Sequence, residues 1–296
     1  MNRRIMNRIG CLVLLFPQVL FALGCQAKDN PAVPRSQVEH GGVGIDVSPD
    51  GSRIVFSAAD GDLHLLDLKT SKVSHLTITD ATETRPRFSP DGISVVYTSQ
   101  SAGTSSSYVY TMNVDGGEIR QLTNTVNTSD SDASFSEDGS RITFARAHRN
   151  RPYSMGGMRW DDWDVFVMNA DGTNVRKVTS QNYYFLNRPV FTRGSKSAVF
   201  CADPQGTANL PSIFEVDLSG DKPPKLLSGT TTNRKGDVYA FEPAISPEGR
   251  HIAYISDQGN RYHYDIYLMD RSPKHWVLSA SVVIIRHPFS RPTANI

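Results

Sequence analysis

The 296-residue chain carries a formal charge of +1, with 21% charged and 39% hydrophobic residues, and has room for one large repeat domain or two ordinary ones. Residues 1–24 hold Arg3, Arg4 and Arg8 and no acid; taking these three from +1 leaves the remainder near −2. A slightly acidic body excludes bulk electrostatic binding of nucleic acid.

In chain order, the first element is a basic head followed by an apolar run, Ile9 to Leu23, interrupted only by Gly10, Pro17 and Gln18. Fifteen residues are short for a membrane span. The layout predicts an export signal over residues 1–24. Its end, Ala22-Leu23-Gly24-Cys25, resembles a bacterial lipobox, in which the cysteine becomes a lipidated first residue. Ala22 stands where that motif usually has Leu, and ordinary cleavage near Gly24 or Ala27 is the alternative. Residues 25–42 read as a polar linker.

The body is a repeat. Ser48-Pro49-Asp50-Gly51 returns as Ser89-Pro90-Asp91-Gly92, as Ser136-Glu137-Asp138-Gly139 and as Ser246-Pro247-Glu248-Gly249, with a degenerate copy at Thr192. The spacings between copies are 41, 47, 56 and 54 residues. Each copy is followed by the same succession of short runs: "RIVFSA" and "LHLLDL", "VVYTS" and "YVYTMN", "RITFAR" and "DVFVMN", "SAVFCA" and "SIFEVD", "HIAYIS" and "DIYLMD". Such runs, bounded by Gly, Asp, Asn and Pro, are strand and turn signals. With a strand before each turn and a third run after the second, every unit has four strands. The predicted fold is an all-β propeller over residues 43–285, with five recognisable blades. The tail, residues 286–296, loses the pattern and leaves a cryptic or incomplete sixth blade open.

The recurring "fSPDG..iaf.s......iy.mn.dG...rqLT", best seen over Phe88–Thr123 and Phe135–Thr179, resembles the TolB-like propeller repeats of bacterial envelope proteins. The resemblance spans about Gly44 to Asp270 and implies the fold. It leaves activity open, because related blades also serve in prolyl oligopeptidases and oligogalacturonate lyases. TolB itself has an α/β domain before six blades. Here about 18 residues separate Cys25 from the first of five.

Chemistry-bearing residues are sparse. "RPYSMGGM" resembles the Gly-x-Ser-x-Gly-Gly elbow of prolyl oligopeptidases, but Pro152 replaces the glycine that permits its sharp turn, and no hydrolase domain accompanies Ser154. His40, His64, His75, His148, His251, His263, His275 and His287 form no helical pair or tight ligand motif. Asp60, Asp62, Asp130 and Asp132 read as turn residues rather than calcium ligands. Cys201, the one cysteine beyond residue 25, reads as a buried structural thiol. No catalytic residue, metal site or cofactor is expected.

In a four-stranded blade the repeated turns share one end of the ring, while the B–C loops and interblade links share the other. The search for function goes to the second end. Its longest loop, "AHRNRPYSMGGMRWDDW", supplies Arg149, Arg151, Tyr153, Arg159, Trp160 and Trp163. The links add Glu83, Arg85, Tyr183, Tyr184, Arg188, Tyr239 and Glu242, and blade five adds Tyr262 and His263. Tyr, Trp and Arg are typical anchors of binding surfaces, although packing of these loops against one another would use the same residues. The expectation is a non-catalytic scaffold binding a protein, peptide or glycan of the cell envelope, touching membrane only through a lipid at Cys25. The alternative is a polysaccharide-active enzyme with acids and histidines converging at the channel mouth.

Overall fold

A computed structural model describes residues 44–152, 157–204, 211–228, 239–257 and 264–271. The expected export signal and linker, Cys25, the end of the expected propeller region and the tail lie outside these residues. Blade one comprises β1 (Ile45–Val47), β2 (Arg53–Ser57), β3 (Leu63–Asp67) and β4 (Val73–His75). Blade two comprises β5 (Thr82–Phe88), β6 (Ser94–Gln100), β7 (Tyr108–Asn113) and β8 (Arg120–Gln121). Blade three comprises β9 (Ser129–Phe135), β10 (Arg141–Pro152), β11 (Met158–Asn169) and β12 (Arg176–Lys177). Blade four comprises β13 (Phe185–Phe191), β14 (Ser197–Asp203), β15 (Ser212–Asp217) and β16 (Lys225–Ser228). Blade five shows β17 (Ala240–Ile245), β18 (His251–Ser256) and β19 (Asp265–Asp270). Each sheet is antiparallel in sequence order, giving the five-bladed propeller expected from the repeats.

The repeated turn is explained by its own hydrogen bonds. Ser48 Oγ donates to Asp50 Oδ1 at 2.5 Å and accepts from the Arg53 amide at 2.9 Å, and the Gly51 amide closes on the Ser48 carbonyl at 2.8 Å. Ser89 with Asp91 and Ser136 with Asp138 repeat this arrangement. Gly51 sits at φ 72°, where a side chain would be strained. The serine and amide bonds hold Asp50 and Asp138 down at about 2. A second repeated device joins strands C and D: Thr77, Thr123 and Thr179 each accept from the amide of Leu63, Val109 or Val165 at 2.8–2.9 Å.

The cores lie between blades. In β14, Val199 and Cys201 pack with Ala240, Ile252 and Tyr254 of blade five, while Ala198, Phe200 and Ala202 pack with Val165, Val167 and Tyr183 on the blade-three side. Successive residues of a strand face opposite ways, so a sheet covered on both faces needs the unbroken apolar run "AVFCA". Burying each large side chain stabilises the ring by about 1.5–3 kcal/mol. Cys201 is fully buried with Sγ 3.6 Å from the Ala240 carbonyl, and burial pushes its thiol pKa up. It is the structural thiol the sequence suggested.

Every blade also stacks an aromatic pair across strands B and C: Tyr97–Tyr110, Phe144–Phe166, Phe200–Phe214 and Tyr254–Tyr267, with centroids 5.7–5.8 Å apart. In blade one the pair is Phe56–His64 at 5.5 Å.

Candidate functional site

Many of the residues expected on loops and links are in strands. Glu83 and Arg85 belong to β5, Asp130 and Asp132 to β9, Arg188 to β13 and Glu242 to β17. The innermost strand of blades two to five has a register irregularity where one residue turns left-handed: Arg85 (φ 57°), Asp132 (56°), Arg188 (49°) and Glu242 (56°). Each lies four residues before the turn Ser or Thr of its blade. A bulge re-aims a side chain, and here four charged groups of alternating sign are brought together.

Arg85 Nη1 lies 3.0 Å from Asp132 Oδ1 and 3.9 Å from Glu242 Oε1, and Arg188 pairs with Glu242. Blade two therefore reaches both blade three and blade five, so these groups bridge the centre of the ring. The corresponding residue of blade one is Gly44, whose Cβ would fall 2.6 Å from the Arg85 backbone; only glycine fits. Two residues further on, Arg87 Nη1 faces Asp46 Oδ1 at 3.5 Å, while Asp46 Oδ2 accepts the Phe88 amide at 2.9 Å. Burial and the neighbouring Arg188 pull Arg87 down to about 10. Burial pushes Glu242 up, but Arg188 and Arg85 outweigh it and hold the carboxyl below its usual range. Asp132 foremost, with Glu242, raises Arg85. The arrangement neutralises itself, with each acid facing an arginine.

Above this network, at the turn end, a cavity of about 380 Å³ is ringed by Val47, Phe88, Phe135, Phe191 and Ile245 and by the turn prolines Pro49, Pro90 and Pro247. The five apolar residues each occupy the position just before the turn Ser or Thr. A second cavity, about 480 Å³, opens between the turns of blades two and three beside Arg120, Glu137 and Asp138. Both lie at the end the sequence marked as monotonous. The repeat pattern alone did not show that its identical positions enclose a funnel.

At the opposite end, the expected long loop is instead a hairpin. Strands β10 and β11 stay paired through Arg149↔Asp161, Asn150↔Trp160, Arg151↔Arg159 and Pro152↔Met158. Strand β9 pairs only with residues from Ile142 to Ala147, so an arm five residues long on each strand, holding those four pairs, continues roughly 16 Å beyond that pairing. It is braced on both sides. Asn150 Nδ2 donates to Ser105 Oγ at 2.7 Å and Trp160 Nε1 to the Ser105 carbonyl at 2.5 Å. On the other side Arg159 stacks on the Tyr184 ring, 3.7 Å from its centroid, and donates to its hydroxyl. Between the strands, fully buried Asp161 receives Arg151 and Arg159. Trp163 donates to the Trp160 carbonyl at 3.1 Å, and its backbone pairs with Tyr183. At the root, Arg146 makes a two-bonded contact with Asp130 (2.6 and 2.7 Å), both nearly inaccessible, and lies over Phe144 and Phe166.

The structure thus divides the residues singled out from sequence. Arg149 (57% exposed, 3.1 Å from Asp162) and Arg151 present surface on the arm; Arg159, Trp160, Trp163 and Tyr184 brace it. Arg85, Arg188 and Glu242 form the central network. Tyr183 packs against Phe200 and Phe214 in the core, and Glu83 is buried under Thr77, Thr79 and Ser99 hydroxyls; neither is a surface residue. The Tyr239 amide donates to Asp257 and its ring meets Tyr264 edge-on. Tyr153, Ser154, Tyr262 and His263 lie outside the described residues. Sequence reasoning missed exposed Met158 at the arm tip, the funnel, and a cluster suited to a metal, Asp60, His64 and His75. Aligning residues by distance from each turn Ser or Thr would have found the apolar ring of the funnel. The imidazoles became neighbours only through strand pairing.

Residues 43–161 match the family model for the TolB β-propeller domain. The Tol-Pal system protein TolB of Francisella tularensis subsp. mediasiatica is 27% identical over 178 residues, covering 60% of this chain and 36% of that relative. The chain thus spans little more than a third of the curated relative it matches. Among solved structures, a TolB-like protein from Agrobacterium tumefaciens superposes with a TM-score of 0.58 at 18% identity, covering 77% of this chain and 76% of that one. An oligogalacturonate lyase from Vibrio parahaemolyticus gives 0.57 at 13% identity, covering 76% and 61%. At these identities the superpositions show shared architecture.

Proposed function

From the premise that the chain is a TolB-type β-propeller, distinct from TolB itself, we propose that it is a non-catalytic scaffold of the bacterial cell envelope whose β10–β11 arm docks a protein or peptide. The observation that carries this reading is the arm. It departs from the repeat, it is braced on both flanks, and it offers Arg149, Arg151 and Met158 to solvent. A pre-ordered hairpin with arginine and apolar groups at its surface binds without first losing chain entropy. The funnel, by contrast, is built from positions that every blade needs for its turn and inner core.

The enzymatic alternative draws less support. Arg85, Asp132, Arg188 and Glu242 are committed to one another at the channel centre, whereas acid–base work needs a group poised towards substrate. The likeness to the lyase is one of architecture. The proposed site is extracytoplasmic, with Cys25 as a lipid tether; Cys25→Ala then releases the protein from membranes, and continued retention removes the tether from the account.

The arm is tested with the double variant Arg149→Glu and Met158→Glu, both groups being exposed. Recovery of cross-linked envelope protein should fall by at least about 30-fold, the loss of a central binding contact worth about 2 kcal/mol. Undiminished recovery contradicts the arm as the docking surface. Loss of a bound oligosaccharide instead would move the partner to a glycan.

A further inference from the structure

Strands B, C and D of blades one to four carry a cross-strand row at one register. In blade two the row is Tyr97, Tyr110 and Gln121, in blade three Phe144, Phe166 and Lys177, and in blade four Phe200, Phe214 and Leu226. Blade one replaces the last two members with imidazoles: Phe56, His64 and His75. His64 stacks on Phe56, as the aromatic pair does elsewhere. Its other neighbour is the His75 ring, 4.2 Å away and tilted by 48°.

A carboxylate completes the group. Asp60, in the turn between β2 and β3, accepts the Asp62 amide on Oδ1 at 3.1 Å, while its Oδ2 lies 2.9 Å from His64 Nε2. One ligand atom from each of the three residues lies within 4.8 Å of the others. Ligands of tetrahedral zinc stand about 3.3 Å apart, from Zn–N and Zn–O bonds near 2.0–2.1 Å. Closing that difference takes only side-chain rotation at Asp60 and His75, both exposed, around a His64 held in place by Phe56.

We propose that Asp60, His64 and His75 form a binding site for a borderline divalent metal, zinc above all, on the outer strands of blade one. Two imidazoles and one carboxylate suit zinc over magnesium or calcium, which take oxygen ligands. Three protein ligands leave one position for water. The site is remote in sequence and strand from the charged network at the channel centre and independent of the arm. It ties the B–C turn to strand D across β3, so metal binding reinforces the outer edge of the first blade.

The test uses metal-free full-length protein titrated with zinc chloride by calorimetry. Two variants accompany it: His75→Gln, the residue type blade two keeps at that position, and Asp60→Asn. The expected result is one equivalent of zinc on the wild-type protein that both variants lose. The affinity loss should exceed the roughly 10–100-fold that removal of an outer partner costs. His251→Gln, at an exposed His–Glu pair elsewhere, should bind zinc unchanged. X-ray absorption of the zinc-loaded wild-type protein gives a second readout, independent of how the variants fold: two imidazoles in the coordination sphere. No zinc uptake, an unaltered titration for both variants, or a sphere without paired imidazoles overturns the proposal.

Discussion

The two ends of the propeller are built on different terms. At the turn end, the same residue types occupy the same positions blade after blade, and the result is a funnel of Val47, Phe88, Phe135, Phe191 and Ile245. At the arm end, among the described residues, blade three departs from the repeat by extending a braced hairpin. Between them, Arg85, Asp132, Arg188 and Glu242 bridge the ring. Repetition supplies the stacking of each blade on the next; departures from it supply surfaces that a partner could tell apart.

The largest effect is expected at the arm's root. Asp130→Asn leaves Arg146 buried without its counter-ion and should cost about 3–5 kcal/mol, read from urea unfolding. Replacing both residues together with apolar ones of similar volume should cost far less, because burying the pair is itself expensive. Next comes the centre of the ring. Gly44→Ala forces a Cβ into the Arg85 backbone, an overpacking worth about 1–3 kcal/mol. Glu242→Gln should cost about 2 kcal/mol near neutral pH, less than a fully buried pair because its carboxylate is partly exposed. Since Glu242 is held below its ordinary value of 4.5, its stabilising contribution is complete above that value and is lost as pH falls through the lower, folded one. The variant's acid limb should therefore be flatter than the wild type's; equal limbs would mean that the network adds nothing to stability.

At the turn end, Ser136→Ala removes the hydroxyl joining Asp138 to the Arg141 amide and should cost about 1 kcal/mol. The smallest effect on stability is expected at the arm tip. Arg149→Glu with Met158→Glu should move the unfolding free energy by no more than about 0.5 kcal/mol, while partner recovery collapses.

The fold was legible because every blade but the fourth writes its turn in closely similar chemistry. The Ser48–Asp50–Gly51 bonds repeat at Ser89 and Ser136, and each copy marks a strand pair. The arm was not legible, since "RAHRNRPYSMGGMRWDD" has the polarity and glycines of a loop. What holds it as a hairpin is Ser105 on one flank and Tyr184 on the other, 45 and 25 residues from their partners Asn150 and Arg159. Arg85, Arg188 and Glu242 were noticed, but as surface links; the left-handed bulges that turn them inward leave no trace in residue type. Tyr183 shows the reverse case, an aromatic chosen as an anchor that the core consumes.

Site-specific photo-crosslinking in intact cells compares the two ends most directly. A photoreactive residue at Met158 should capture a discrete partner, and the same residue at Pro90 or Pro247 on the funnel rim should capture little. Capture from the rim with none from the arm would contradict the account and place the docking surface on the repeated turns.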